Sequence, residues 1–398
     1  MNRAPVYLDA CATSPPAQAV LEAMAAVQRE AWGNPSSLHG YGLAAAEVLE
    51  RCRLELAALL GCQGEELVFT SGGSESIHLA LLGAAQGLQP GRLLISAVEH
   101  PASLAAAQQL AQRGWHVQPL PVNREGLLDP AVIAPWLDPP TRLVSLIWGQ
   151  SEVGSLQPIE AIGRLCRSAG VPLHVDAVQV VGHRPVCFDQ LPVDLLSLTA
   201  HKLQGPRGIG ALLVRQGLPL AGQIGGGGQE RGRRAGTEPV ALVAGMLHAL
   251  QLAEQRLVAH SGSDPLLPLR DQMLDTLLQR PGLELTGPDP RRGGPRLPHH
   301  LSLLVRDPAS GVPLSGRRLV QALWGEGYAA SSGSACSSGQ GADPHGLTPS
   351  PVLQALGYGA PEASSGLRLS LGPWLQAADL EALPAALERA RQVVAAGR

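Results

Sequence analysis

Short apolar runs alternate with longer stretches of helical periodicity through the first two-thirds of the chain. The runs at residues 66–69, 93–96, 143–148, 172–175, 195–198 and 210–214 are bounded by turn residues, which predicts buried strands. Between and beyond them, apolar positions three and four apart predict helices over 42–60, 74–85, 102–113, 159–169 and 240–259. Buried strands separated by amphipathic helices specify an α/β domain with a mostly parallel sheet, because each parallel pair needs a crossover connection. Ligands of such sheets sit in the loops beyond the carboxyl ends of the strands.

The pattern breaks at His260-Ser261-Gly262-Ser263-Asp264-Pro265, and a second turn-rich stretch at 287–298 precedes a new apolar run at 301–305. We therefore expect a large α/β domain over residues 15–260 and a smaller α+β domain formed by 1–14 and 261–398. The smaller one carries a Ser/Gly-rich loop at 331–348 and ends in an amphipathic pattern at 377–395, which Pro384 is placed to interrupt.

Composition narrows the partners. A formal charge of −3 with scattered basic residues gives no electrostatic case for direct nucleic-acid binding. No run of 18 apolar residues occurs and the first residues lack a secretory pattern, so the expectation is a cytoplasmic protein without a membrane partner. The six cysteines are widely spaced, with no C-x-x-C pair and no metal-ligand spacing; no metal site is expected.

Candidate chemistry gathers at the predicted strand ends. Thr70-Ser71-Gly72-Gly73-Ser74 joins a strand to a helix, where free N–H groups suit a phosphate, although a tight turn alone would read the same way. Asp176 ends another strand and could pair with a protonated ring nitrogen or simply cap the next helix, with Gln179 three residues on. His100, in Glu99-His100-Pro101, could stack on an aromatic ring and move protons, or act as a helix cap. In Thr199-Ala200-His201-Lys202, a lysine sits beside apolar strands in a chain with few lysines; burial would lower its pKa and make a usable amine. Gly225-Gly226-Gly227-Gly228-Gln229-Glu230-Arg231 runs on to Thr237 and reads as an interface or cofactor contact. Arg368 alternates with apolar neighbours as a candidate carboxylate clamp. Cys336, in Ser331-Ser332-Gly333-Ser334-Ala335-Cys336-Ser337-Ser338-Gly339, sits in a run of small residues that cannot bury its sulfur in a core and reads as an exposed nucleophile. Phosphate cradle, strand-end acid, stacking histidine, amine and clamp together describe a site for pyridoxal 5'-phosphate (PLP).

At this point the chain resembles the cysteine desulfurases of the NifS/IscS-like group, within the class V aminotransferase family. The resemblance rests on Tyr7-Leu8-Asp9, Asn34-Pro35-Ser36-Ser37-Leu38-His39, Glu99-His100, His174-Val175-Asp176-Ala177, His201-Lys202, residues 226–237 and the Ser-Ser-Gly-Ser-Ala-Cys form of the cysteine loop. It implies the fold type I architecture of PLP-dependent transferases and conversion of L-cysteine to L-alanine, with a persulfide left on Cys336. It further implies that Lys202 holds PLP, Asp176 pairs with its ring nitrogen, Gln179 contacts its ring oxygen and His100 stacks on the ring and carries protons. Gly73, Ser74, Thr199 and His201 would hold the phosphate, with Thr237 reaching in from the other subunit of a homodimer, and Arg368 would take the substrate carboxylate. A sulfur-acceptor protein is implied as well, either an iron–sulfur scaffold or a tRNA-modification protein. Two departures stand out: Ala10-Cys11-Ala12-Thr13-Ser14 replaces the usual Asn-Ala-Ala-Thr-Thr, and Ser151 stands where the family has an asparagine near the ring. Selenocysteine lyase, another PLP enzyme of the same family and a non-catalytic PLP-binding paralogue are the alternatives; a thiol nucleophile argues against transamination, and retention of the chemical groups against the paralogue.

Overall fold

The computed structural model describes residues 4–333 and 349–397. The chain begins with a short strand, β1 (Val6–Tyr7), and after two helices lays down seven strands: β2 (Leu67–Thr70), β3 (Arg92–Ser96), β4 (His116–Leu120), β5 (Thr141–Ile147), β6 (Leu173–Asp176), β7 (Leu195–Thr199) and β8 (Gly210–Val214). They form one sheet in the order β2-β8-β7-β6-β5-β3-β4. β8 runs antiparallel to both of its neighbours, and all the other pairs are parallel.

This is the expected α/β sheet, with differences at its edges. β2 starts one residue later than the apolar run suggests, because Gly64–Glu66 forms a 3-10 turn that caps its entry. β4 lies outside the predicted set: its central residues are only half-buried and Pro119 interrupts the apolar pattern, which an edge strand tolerates. Every residue of β6, β7 and β8 is buried, as sheets covered on both faces require. One apolar cluster, containing Leu146, Val175 and Leu196, packs one face against the helices Gly40–Leu60 and Val240–Ala259. A second, containing Leu81, Leu93 and Leu212, packs the other face against Gly73–Ala85 and Pro101–Gln112.

Beyond residue 260, β9 (Leu283–Leu285), β10 (His300–Val305), β11 (Tyr328–Ala329) and β12 (Gly366–Ser370) complete the strands. β12-β10-β9 is an antiparallel sheet with its own apolar cluster, to which the N-terminal Leu8 belongs. β11 pairs with β1, so the first residues of the chain are stitched to this later part. The C-terminal amphipathic segment is two helices, Ala377–Leu380 and Leu383–Ala396, and Pro384 opens the second where its missing N–H costs nothing.

Candidate active site

The carboxyl ends of β3, β5, β6 and β7 open into a cavity of about 230 Å3. Its wall includes Gly73, Ser74, His100, Ser151, Asp176, Gln179, Thr199, His201, Lys202 and Arg368, ten of the residues singled out in the sequence. Two others are not among these lining residues. Thr237 lines a separate groove beside Trp32 and Met24, and Cys336 lies outside the described residues.

Lys202 is the chain's single lysine among 30 Lys and Arg residues. It closes a 3-10 turn directly after β7, and its Nζ donates to the carbonyls of Cys11 at 2.5 Å and Ala12 at 2.8 Å. Gln179 Nε2 donates to the same Cys11 carbonyl at 3.0 Å. The turn at residues 10–12 therefore holds two of the predicted cofactor residues through its backbone.

Asp176 ends β6 and accepts the Val178 N–H at 3.0 Å. Burial pushes its carboxyl above the usual range, while the Val178 N–H and the Lys202 charge pull it back. His100 caps the Pro101–Gln112 helix, its Nδ1 accepting the Ala102 N–H at 3.1 Å. Burial lowers its pKa, so the ring is neutral near pH 7; with Nδ1 accepting, the proton sits on Nε2. His201 is neutral for the same reason, pushed down to about 4 by burial and then by the Lys202 and Arg207 charges; its Nδ1 pairs with Thr13 Oγ1 at 3.1 Å.

The Gly73–Ala85 helix has Gly72 as its cap, which offers no side chain to the first N–H groups. A Cβ on Gly73 would come within 2.9 Å of Val178 Cγ2, so a side chain there would crowd the cradle. Thr199 Oγ1 donates to the Ile209 carbonyl at 3.1 Å, closing the cradle's floor.

Arg368 is buried on β12. Its guanidinium donates to Asp9 Oδ1 at 2.6 Å and to the Ser151 carbonyl at 3.1 Å. Its Nε has no partner among the described residues, leaving a donor unspent in the cavity wall. The Ser151 carbonyl also pairs with His300 Nε2 at 3.0 Å, so this position is fixed by its backbone where the family has an asparagine side chain.

Glu99 and Glu152 also line the cavity, Asp9 pairs with Arg368, and none of the three was among the sequence candidates. Glu152 sits where both ends of the described chain around Cys336 meet. Ser350 Oγ donates to its Oε2 at 2.5 Å, and the Gly333 Cβ direction points within 3.1 Å of the same oxygen.

These residues fit PLP: the chain's one lysine amine, a buried acid for a ring nitrogen, a neutral imidazole beside it and an uncapped helix start for a phosphate. Fold and cavity together define an α/β enzyme with its site at the carboxyl ends of a parallel sheet. The chain belongs to the aminotransferase class-V family, whose model matches residues 6–383. Members of this kind depend on PLP. Among similar curated proteins, cysteine desulfurase IscS of Dictyoglomus turgidum is 37% identical over 387 residues, covering 96% of this chain and 94% of that protein. The IscS of Methanosarcina thermophila is 35% identical, covering 98% of this chain and 93% of its own. A solved NifS-like protein superposes with a TM-score of 0.86 at 30% identity, covering 98% and 99% of the two chains. A structure described as SspA in complex with cysteine matches with a TM-score of 0.78 at 30% identity, covering 93% of this chain and all of that one.

Proposed function

We infer that this chain is a PLP-dependent cysteine desulfurase that converts L-cysteine to L-alanine and leaves a persulfide on Cys336. The observation that carries this reading is the placing of the single lysine, the buried Asp176, neutral His100 and Arg368 around one cavity, in a chain whose relatives are named for that activity. PLP, when bound, supplies an electron sink for the bond broken at the substrate Cα. Arg368 orients the substrate carboxylate, and the Lys202 amine takes the Cα proton. His100, neutral with its proton on Nε2, holds a proton for return to the departing product. Cys336 Sγ attacks the substrate sulfur: a thiol and L-cysteine become a persulfide and L-alanine, and no external oxidant is needed. Gly333, the last described residue before Cys336, lies against Glu152 in the cavity wall, which supports this reading.

We further propose a homodimer in which each subunit lends Thr237 to its partner's phosphate site. Thr237 lines a groove of about 610 Å3, and the aromatic pair Trp32 and Tyr41 beside it is 59% and 63% exposed. The persulfide would pass to a sulfur-acceptor protein of iron–sulfur assembly or tRNA modification, in the cytoplasm. None of the helices among the described residues is long and apolar enough to cross a membrane.

The test is alanine and sulfide release from L-cysteine by the PLP-loaded protein and by Cys336→Ala. Visible cofactor absorbance is expected in both and turnover in the wild type alone, a loss of about 10³-fold or more for a missing nucleophile. Equal turnover in both would remove Cys336 from the reaction and favour a lyase that needs no protein thiol.

A further inference from the structure

Glu99 lines the cavity yet has no task in the proposed reaction. It follows β3 and is 4% exposed. Its Oε1 accepts from Ser96 Oγ at 2.6 Å and from the Ile147 N–H at 2.9 Å. Its Oε2 is buried without a partner among the described residues. Ile147 is the register partner of Asp176 on the next strand, so the backbone position that Glu99 binds lies beside Asp176. Asp176 is itself 3% exposed.

Two buried carboxylates whose charges act on one another in a low-dielectric interior cannot both hold their charge cheaply. Their surroundings decide which gives way. Asp176 faces His100 and Lys202 and accepts an N–H from Val178. The charge acting on Glu99 is that of Asp176, which repels its own. An ionised Oε2 would be an unsolvated, unpaired anion; a protonated one is neutral.

We propose that Glu99 stands protonated behind Asp176, so that the two buried carboxyl groups carry a single negative charge and that charge lies on Asp176. Burial agrees in direction, pushing the Glu99 carboxyl up to about 7. Glu99 is then a positioning residue. Its neutral form holds the end of β3, and hence His100, onto β5 through Ile147 without competing with Asp176 for a cationic ring nitrogen. That role rests on the PLP-site reading, whereas the protonation state does not.

The test is infrared difference spectroscopy on the full-length apo and PLP-loaded protein, comparing wild type with Glu99→Gln and Asp176→Asn. Glutamine reproduces a protonated glutamate in shape and can present its oxygen to Ser96 and Ile147. The expected result is a carboxylic-acid carbonyl band in wild-type protein at pH 6, absent from Glu99→Gln, whose PLP affinity stays within about threefold of wild type. In Asp176→Asn the same band should persist at low pH but titrate at lower pH, because its repelling neighbour is gone. The proposal is overturned by a band that survives Glu99→Gln and vanishes in Asp176→Asn, by no band at all, or by a titration that Asp176→Asn leaves in place. A tenfold loss of PLP affinity in a folded Glu99→Gln would also sink it. Because the band is read in apo protein without L-cysteine, failure here and failure of the desulfurase reading are separable.

Discussion

Wherever else this chain needs a long cation it uses arginine; Lys202 stands alone among 30 Lys and Arg residues. A guanidinium stays charged in proteins and makes a poor nucleophile, whereas an ammonium beside apolar strands can lose its proton. The one position that kept lysine is the one held by two backbone carbonyls in the cavity. Borohydride treatment of PLP-loaded protein should therefore fix one cofactor per chain at Lys202. Peptide mass mapping checks this, and label on any other residue would contradict it. Buried histidines set the response to acid. His174 lies between Ser145 Oγ and Ser197 Oγ, each at 2.8 Å, and burial pushes its pKa down to about 3. The unfolded chain binds that proton below about pH 6.5 and the folded one refuses it, so stability present above pH 6.5 is lost as pH falls. His174→Gln should flatten the drop in unfolding free energy between pH 6.5 and 5 by about 2 kcal/mol, measured by urea denaturation. Residues such as His100 and Asp176 were legible because they end apolar runs. Asp9 and Glu99 were not, because what defines them, Arg368 and Ile147, is distant in sequence and adjacent only after folding.

Among the elements, the glycine-rich stretch before Thr237 reads from its composition as an interface or cofactor contact, and a buried ion pair that composition does not reveal anchors its centre. Glu230 accepts from Arg53 at 2.6 and 3.0 Å and from the Phe69 N–H at 2.8 Å, joining the loop to the Gly40–Leu60 helix and β2. Glu230 and Arg231 adopt φ of +48° and +57°, a conformation held against its local preference by this clamp. Glu230→Ala leaves the Arg53 charge buried and unpaired, and should cost about 3–5 kcal/mol in chemical denaturation. Double substitution with Arg53→Met should recover part of that loss; no recovery would mean the pair is not the source of the clamp. The core strands β6, β7 and β8 were readable from apolar runs alone, whereas β4 was hidden by its edge position and Pro119.

Over the whole molecule, the exposed patch is the feature that most calls for a partner. Trp32 and Tyr41 pack as a tilted ring pair with centroids 5.0 Å apart, and Leu38, three residues before Tyr41, is 90% exposed. If two copies meet there, Trp32→Glu should yield monomers in analytical ultracentrifugation and weaken PLP binding, since Thr237 would no longer reach a second site. A monomeric wild type would dispose of the shared site.

The cavity is also assembled from the far ends of the chain. The Cys11 N–H donates to Ser370 Oγ across 359 positions, and Arg368 pairs with Asp9 across the same interval. The turn that receives Lys202 is thus tied down by residues translated long after Lys202 itself. A chain still emerging from the ribosome can pair β6 with β7, but its pocket stays unfinished until β12 has been translated. Cofactor capture consequently waits on β12, well after the parallel sheet can form. Fragments ending before Gly366–Ser370 should persist as apo-protein exposed to proteolysis.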